Sequence, residues 1–292
     1  MDKWKQRLLH LHHCSSISRN ILSKVLQFDP DLKDFFELST NDFAYNLGIS
    51  KTTADKIHAQ LRKINIEKLL NKYEIEEITP ITIKDTQYPI LLKEIFDPPY
   101  VLYCKGNISL FNSNKISIVG TRNPTFYAKK VVELLLPKLI EKELTIVSGL
   151  ALGVDTYAHK VTINNNGKTI AVLGSGISHI YPKENSGLAK IIGQEHLLVS
   201  EYTPYTPPQR WQFPLRNRII SGLSRGTLIV EAKDRSGSLI TAEQALEQGR
   251  DVFAIPGSIF SLSSTGTNKL IQQGAKLVMS SDDILEEILY PH

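Results

Sequence analysis

The sequence predicts an α/β protein: a doubly wound, mostly parallel β-sheet covered by helices on both faces and preceded by a small all-helical domain. From residue 116 onward, short apolar segments rich in β-branched residues alternate with helical patterns. Such alternation is typical of a parallel sheet buried on both faces. Before residue 76, apolar residues recur at helical spacings. The later part of the chain is therefore predicted to be Rossmann-like, with ligands bound beyond the carboxyl ends of its strands.

These patterns also predict the domain boundaries. Residues 1–75 are expected to form the helical domain, residues 76–115 a connector that leads into the sheet, and residues 116–292 the sheet domain. The connector carries a proline break at Asp97-Pro98-Pro99, which is followed by a short strand at Val101-Leu102-Tyr103.

One segment of the helical domain is a candidate for contact with DNA. Leu47-Gly48-Ile49-Ser50 has a glycine suited to the tight turn of a helix-hairpin-helix motif, and the next helix could offer N–H groups to a phosphate. Ser50 stands where such hairpins usually carry a second glycine, so a plain helical packing module is the alternative. His10 and His13 would share a helix face, but no carboxylate or thiol accompanies them, and we predict no metal site.

The strands of the sheet domain are predicted from short apolar runs between turn residues. In chain order they cover Ile116–Val119, Thr145–Ser148, Ile170–Leu173, Leu197–Ser200, Thr227–Val230 and Val252–Ile255. Apolar residues at helical spacings predict helices at about 126–142, 153–164, 183–192, 215–222, 239–248 and 265–273. Because parallel strands end at the same edge of a sheet, the loops that follow them should meet there.

The loops at this edge have the composition of an anion-binding site. Gly120-Thr121-Arg122 follows the first strand, and Ser148-Gly149 follows the second. The fourth loop, from Tyr202 to Asn217, interleaves aromatic residues with arginines. Gly, Ser and Thr let the backbone approach an anion closely, and aromatic rings can stack on unpaired bases. The candidate DNA-binding residues are Gly120, Thr121, Arg122, Ser148, Gly149, Lys183, Asn185, Arg210, Arg216 and Asn217.

Two basic stretches favour an anionic partner. No acidic residue occurs between Asp97 and Glu133, or between Glu201 and Glu231, although both stretches carry several Lys or Arg residues. The net charge of the chain is only +4, so the distribution of charge is more informative than the total. Ordinary solvated surface is the alternative interpretation of both stretches.

Composition and spacing disfavour several other classes of protein. Cys14 and Cys104 lie far apart and match no zinc or disulfide pattern. The chain shows no signal peptide and no apolar run long enough to cross a membrane, so a cytoplasmic location is expected. Gly174-Ser175-Gly176 lacks the third glycine of a dinucleotide fingerprint, and no nucleophile is spaced to join Asp155 and His159. We therefore expect no cofactor, and a structural hydrogen bond or a first-turn aspartate explains Asp155 and His159 better than an acid–base pair does.

Short motifs along most of the chain occur in the order found in one known family. They are Tyr88-Pro89, Asp97-Pro98-Pro99, Val119-Gly120-Thr121-Arg122, Ser148-Gly149-Leu150-Ala151, Tyr181-Pro182-Lys183, Phe213-Pro214, Arg216-Asn217-Arg218, Ser236-Gly237-Ser238, Pro256-Gly257 and Gly266-Thr267-Asn268. With these motifs the sequence resembles the DNA-processing protein A family (DprA, also called Smf) of bacterial natural transformation. The resemblance is strong over residues 80–275 and looser over the N-terminal helices.

This resemblance implies a protein that binds single-stranded DNA on an extended Rossmann fold, without catalytic turnover. Such proteins form dimers, help to displace single-stranded-DNA-binding protein and load RecA recombinase onto the strand. By motif, Arg122 resembles the arginine of the family's DNA pocket, Lys183 its basic partner, and Arg210 a position that is basic in relatives. The helical domain resembles the family's sterile-alpha-motif-like domain. The chain is expected to lack the C-terminal winged-helix domain that some relatives carry.

The resemblance also places the dimer contact, and a nearby RecA contact, towards the end of the chain. Ile271 and Leu277 are the apolar candidates for this surface, and the alternative is that they only complete the core. Two other functions stay open. One is an enzyme like the cytokinin-activating phosphoribohydrolases, although their Pro-Gly-Gly-x-Gly-Thr motif does not occur. The other is a sensor of small nucleotides that uses the same pocket.

Overall fold

The computed structural model describes residues 2–289, and the chain divides after Ile78 into two compact units. The first unit is helical, and polar side chains such as those of Ser18 and Ser50 cap its helices by accepting hydrogen bonds from first-turn amides. Its core includes Phe35 and Phe43, whose ring centroids lie 4.6 Å apart. The helices are α1 (Lys3–His12), α2 (Arg19–Phe28), α3 (Thr40–Leu47), α4 (Lys51–Lys63) and α5 (Ile66–Ile75).

The turn between α3 and α4 explains the serine in the hairpin motif. Gly48 ends α3 with a φ of 58°, the left-handed conformation that glycine adopts without steric cost. Ser50 has a φ of −66°, and its hydroxyl accepts a hydrogen bond from the amide of Thr53. A second glycine is not required at this position, because a serine there caps the next helix.

The histidines of the first unit have structural partners. Nε2 of His10 lies 2.9 Å from the carbonyl oxygen of Leu61, and the ring of His13 is hydrogen-bonded to the hydroxyl of Tyr73. Burial lowers the pKa of His13 to about 4, so this imidazole is neutral at pH 7. Within residues 2–289, no group of three or more His, Cys, Asp or Glu side chains is arranged to hold a metal ion.

The second unit is built on a single sheet. Within residues 79–289 the strands are β1 (Thr79–Thr82), β2 (Val101–Gly106), β3 (Lys115–Val119), β4 (Thr145–Ser148), β5 (Thr169–Leu173), β6 (Leu197–Ser200), β7 (Gly226–Ile229), β8 (Asp251–Ala254) and β9 (Lys276–Leu277). Their order across the sheet is β1-β2-β6-β5-β4-β3-β7-β8-β9. The pairs β1–β2 and β2–β6 are antiparallel, and all the others are parallel. The predicted α/β fold class is confirmed.

Helices cover both faces of this sheet. They are α6 (Ile90–Lys93), α7 (Phe126–Glu141), α8 (Val154–Asn164), α9 (Ser186–Glu195), α10 (Gln212–Gly222), α11 (Gly237–Glu247), α12 (Thr265–Gln272) and α13 (Asp282–Leu289). On one face α7, α8 and α13 bury a core that includes Ile118 and Phe253. On the other face α10, α11 and α12 pack over Val119 and Val147. No described helix is both long and apolar enough to span a membrane.

The segment predicted as a connector contributes to the sheet. Strand β2 pairs with β6, and β1 extends the sheet by one further strand. The side chains of Val101 to Cys104 are fully buried, which explains why this segment belongs to the compact unit. Elements β9 and α13 also lie beyond the last helix predicted from the sequence.

Candidate functional site

A cavity of about 740 Å³ opens at the carboxyl edge of the parallel strands. Five loops contribute side chains to it: Arg122 after β3, Asp155 after β4, Tyr181 after β5, Arg210 after β6 and Ser236 after β7. Neighbouring strands β3 and β7 mark the point where the strand order reverses. Doubly wound sheets bind their ligands at such points, so the topology itself places a site here.

The cavity gathers about half of the candidate residues. Those that line it are Gly120, Arg122, Arg210, Arg216 and Asn217. Gly149 lines a smaller adjoining cavity of about 50 Å³ that shares Arg122 and Arg216. The remaining candidates, which line neither cavity, are Thr121, Ser148, Lys183 and Asn185.

The turn that presents Arg122 is held closely on both sides. The amide of Thr121 donates to the carbonyl oxygen of Glu231 (2.8 Å), and the carbonyl of Thr121 accepts from the amide of Val154 (3.1 Å). A Cβ atom on Gly120 would lie only 2.7 Å from a methyl group of Val154, so a side chain cannot be added without displacement. The arginine therefore extends from a fixed backbone, which reduces the conformational entropy lost on binding.

Three exposed cations, Arg122 and Arg210 in the cavity and Lys183 outside it, have no fixed counter-ion within the described residues. Within residues 2–289, no carboxylate forms an ion pair with Arg122, Lys183 or Arg210. Burial raises the pKa of Asp155 at the cavity floor, and the positive charge of Arg122 makes a small opposing contribution. Exposed arginines and lysines that are free of local partners are suited to phosphate groups.

Arg216, a candidate for contact with DNA, is buried in the structure. Only 4% of the residue is exposed, and its guanidinium donates to the carbonyl oxygens of Gly149 (2.5 Å) and Val172. A Cβ atom on Gly149 would lie 2.3 Å from that guanidinium, so glycine leaves the space that the arginine fills. Arg216 and Gly149 thus form the floor of the site and join the ends of β4 and β5.

A buried carboxylate accompanies this arginine. Asp155 accepts hydrogen bonds from the amides of Gly149 (3.1 Å) and Ala151 (3.4 Å). Burial raises the pKa of Asp155 to about 6, although the charge of Arg216 opposes the shift. Burial likewise lowers the pKa of Arg216 to about 10. Both pKa shifts arise because the cost of removing the two charges from water exceeds the attraction between Asp155 and Arg216.

Ser148 and Asn185 are also structural in their contacts. The hydroxyl of Ser148 is buried and donates to the carbonyl oxygen of Ile118 (2.7 Å). The amide group of Asn185 donates to the carbonyl oxygen of Leu150 (2.8 Å) and to the hydroxyl of Thr156 (2.7 Å). Asn185 therefore fixes the short turn that carries Lys183, and neither buried side chain is available to a ligand.

Aromatic rings border the cavity. Tyr181 is 49% exposed, and its ring centroid lies 5.5 Å from that of Phe213. Trp211, which directly precedes α10, is 59% exposed and makes an edge contact with Tyr202. An unpaired base can stack on a half-exposed ring, and the cations beside the ring can bind the phosphates of the same strand. Tyr181, which sequence reasoning did not select, could have been found from its position directly before Pro182 and Lys183.

The start of α11 is a second feature that the candidate residues omitted. Ser236, Gly237 and Ser238 all line the cavity, and the side-chain amide of Asn217 donates to the carbonyl oxygen of Gly237 at 3.3 Å. The Gly-Ser composition of this loop was visible in the sequence.

The two candidates for self-association occupy different environments. Ile271 is half-buried and packs against the core beneath α10 to α12. Leu277 is 39% exposed and lies in β9, the last strand of the sheet. Only Leu277 therefore offers substantial apolar surface at an exposed strand edge.

The family model and the similar proteins that comparison finds agree with one another. The model of the family described as DNA recombination-mediator protein A matches residues 79–289. DNA processing protein DprA of Bacillus subtilis is 50% identical over 248 residues, which are 82% of this chain and 84% of that protein. DNA processing protein DprA of Streptococcus pneumoniae is 51% identical over 214 residues, which are 73% of this chain and 76% of that protein.

Solved structures agree with these matches. The X-ray structure of DprA from Streptococcus pneumoniae aligns over 99% of both chains, with a TM-score of 0.86 and 42% identity. DprA from Helicobacter pylori, whose structure is described in terms of its single-stranded DNA binding mode, covers 73% of this chain and 96% of its own. That alignment has a TM-score of 0.66 and 31% identity. The chain therefore belongs to the DNA recombination-mediator protein A family, as its motifs predicted.

Proposed function

We propose that this protein binds single-stranded DNA at the carboxyl edge of its sheet and helps to load RecA recombinase onto the bound strand in the cytoplasm. The observation that carries the proposal is the set of exposed cations, Arg122, Lys183 and Arg210, that lack counter-ions within residues 2–289. Single-stranded DNA supplies phosphates at regular intervals to such groups. The DprA of Helicobacter pylori, whose structure is described in terms of its single-stranded DNA binding mode, supports the choice of ligand.

The aromatic rings favour a single strand over a duplex. Tyr181 and Trp211 each expose about half of their surface beside the cations. Stacking of an unpaired base on such a ring contributes roughly 1–3 kcal/mol. A duplex hides the faces of its bases, so it would gain only the contacts to phosphate.

The contacts of the carboxylates near the cavity favour DNA binding without catalytic turnover. Glu231 accepts hydrogen bonds from the amide and hydroxyl of Thr125, so it caps the start of α7. Asp155 is buried among backbone amides and beside Arg216. Each carboxylate thus has a structural role, which leaves neither as a free general base.

RecA loading and self-association are the finer parts of the proposal. The family's description as a recombination mediator supports a role in delivering DNA to a recombinase. We place a homodimer contact at Leu277, with Ile271 behind it, and a RecA contact nearby. Displacement of single-stranded-DNA-binding protein would accompany the loading.

The experiment is a titration of fluorescent oligothymidylate, with a duplex of equal length and dTMP as competitors. We expect tight binding of the oligonucleotide, weaker competition by the duplex and little by dTMP. Equal competition by dTMP would instead indicate a nucleotide sensor, and release of base from dTMP would indicate an enzyme. A second assay follows the ATPase of RecA on strands coated with single-stranded-DNA-binding protein. The protein should shorten the lag, and an unchanged lag would contradict the role in loading.

A further inference from the structure

The loop between β6 and α10, residues 201–211, is closed at its base by one buried arginine. Arg218 lies in α10, and Nη2 of its guanidinium donates to both carboxylate oxygens of Glu201, at 2.6 and 2.7 Å. Glu201 is the first residue of this β6–α10 loop, and Trp211, the last, leads directly into α10. The ion pair therefore joins the start of the loop to the helix in which the loop ends. A loop whose ends are held together has fewer alternative conformations.

A second carboxylate extends this contact to the segment before β2. Nε of Arg218 lies 3.2 Å from Oδ2 of Asp97, and the side chains of Arg218 and Glu201 are only 6% and 13% exposed. Tyr202 and Trp211 add an aromatic contact near the base of the loop, with ring centroids 6.1 Å apart. A largely buried ion pair is screened much less by salt than an exposed pair. The base of the loop is thus held by charge and by packing.

The middle of the loop is held by the glycine turn after β5. The amide of Gly176 donates to the carbonyl oxygen of Thr206 (2.9 Å). The amide of Ser178 donates to the carbonyl oxygen of Pro204 (2.9 Å). A Cβ atom on Gly176 would lie 2.3 Å from that same oxygen of Pro204, so glycine is required for this close approach. Arg210, the one cation in the loop sequence, thus reaches the cavity from a segment that is fixed at its base and in its middle.

Arg218 itself is not placed to contact a strand in the cavity. It follows Arg216 by two residues, so the two side chains leave α10 on nearly opposite sides. Arg216 lines both cavities, whereas Arg218 lines neither and is only 5% exposed. Its two carboxylate partners already supply two negative charges to its single positive charge. An effect of Arg218 on DNA binding would therefore be indirect, through the loop that carries Arg210.

We propose that Arg218 and Glu201 are positioning residues, which hold the β6–α10 loop so that Arg210 and Trp211 meet the bound strand. The inference rests on the proposed binding of single-stranded DNA and adds two residues that do not touch the strand. Without the ion pair the loop would sample other conformations, and only a fraction of the molecules would present Arg210 to a phosphate. The apparent affinity is reduced by that same fraction.

The test replaces Glu201 by Ala and, separately, Arg218 by Lys in the full chain. Glu201→Ala removes a negative charge near the site, so electrostatics alone would strengthen the binding of a polyanion, whereas loss of positioning would weaken it. Arg218→Lys keeps the charge but loses the planar fork that reaches two carboxylates. The matched control is Glu94→Ala, because Glu94 pairs with another largely buried arginine, Arg250 (3.3 Å), and lines neither cavity.

We expect Glu201→Ala and Arg218→Lys each to bind oligothymidylate about tenfold more weakly than the parent, as for the loss of a charge-assisted hydrogen bond. The slope of log affinity against log salt should stay that of the parent, because no phosphate contact is removed. Glu94→Ala should bind within about twofold of the parent. Thermal melting should show all three variants folded. Unfolding of both Glu201→Ala and Arg218→Lys would assign the pair to the stability of the whole domain and would overturn the inference.

Fluorescence reports the position of the loop independently of affinity. Trp4 and Trp211 are the only tryptophans in the sequence, so Trp4→Phe leaves Trp211 as the single reporter. In that background, Glu201→Ala and Arg218→Lys should lower the fluorescence anisotropy of Trp211 in the free protein, because the ring moves more freely. Bound oligothymidylate should raise the anisotropy again. Glu94→Ala should leave it unchanged.

The outcomes separate this inference from the proposed function. If the parent bound oligothymidylate and both variants matched its affinity, the positioning role alone would be wrong. Tighter binding by Glu201→Ala would mean that this carboxylate only repels phosphate, and a salt slope shallower by about 0.7 in either variant would indicate a direct phosphate contact. Each of these results would overturn the inference, as would a loss of affinity with unchanged anisotropy of Trp211. Failure of the parent to bind oligothymidylate would overturn both.

Discussion

Replacement of Arg216 by Met should destabilise the sheet domain, because the structure places the guanidinium inside the protein. The substitution removes the donors to the carbonyl oxygens of Gly149 and Val172 and leaves Asp155 without its cation. A buried charge that is left without compensation costs about 3–5 kcal/mol. The cost should lie near the lower end, about 3 kcal/mol, because Asp155 has a pKa of about 6 and can become neutral by binding a proton.

The assay is thermal unfolding of Arg216→Met beside Arg210→Met. For a domain of this size, about 3 kcal/mol corresponds to a fall in Tm of roughly 6–12 °C. Arg210 is exposed in the loop before α10 and has no ion pair within the described residues, so its replacement should leave Tm within about 1 °C. Arg210→Met should instead weaken the binding of oligothymidylate.

The opposite pattern would refute this reasoning. If Arg216→Met kept the melting temperature of the parent and lost only DNA binding, Arg216 would be a direct DNA contact, as its sequence motif first suggested. The double variant with Asp155→Asn provides a further check. It should recover part of the lost stability, because no buried charge is left without a partner.

Three further changes have defined outcomes. Arg122→Ala should make the slope of log affinity for oligothymidylate against log salt shallower by about 0.7. Between 50 and 200 mM salt, the affinity of this variant should therefore fall about 2.6-fold less than that of the parent. Lys142→Ala, at the opposite edge of the sheet, should keep the parent's slope. The folded-state pKa of Asp155, about 6, lies above its ordinary value of 3.8, so its contribution to stability falls as pH rises from about 4 to 7. Denaturant titrations should therefore show Asp155→Asn gaining about 2–3 kcal/mol on the parent over that range, and a constant difference would contradict the raised pKa. Leu277→Glu should give a folded monomer in light scattering, and a parent that is itself monomeric would exclude the proposed dimer contact.

The sheet was predictable where its strands are buried on both faces. Strands β3 to β8 read as apolar runs because helices cover both of their sides, as the burial of Ile118 and Val147 illustrates. Strand β1 lies at one end of the sheet with only its last two residues buried, and β9, at the other end, has only two residues. So few residues at a sheet edge leave no periodic pattern, and their pairing depends on contacts made far along the chain.

The position of the cavity at the sheet edge was predictable from the sequence, but the burial and contacts of each candidate residue were not. Topology alone brings Arg122 and Arg210 to one cavity. The sequence could not distinguish these exposed arginines from Arg216, because burial depends on Asp155 and on the space left by Gly149. Serine and asparagine beside a glycine turn are equally suited to bind an anion or to fix a loop.

The most direct test of the DNA-binding site is the affinity of the double variant Arg122→Glu with Lys183→Glu for fluorescent oligothymidylate. Both residues are exposed, so the fold should be unchanged by circular dichroism and thermal melting. The matched control is Lys142→Glu with Lys168→Glu, which changes the net charge equally at the opposite edge of the sheet. We predict that binding is nearly abolished in the first variant and largely retained in the control. A folded first variant that binds oligothymidylate as tightly as the parent would contradict the assignment of the site.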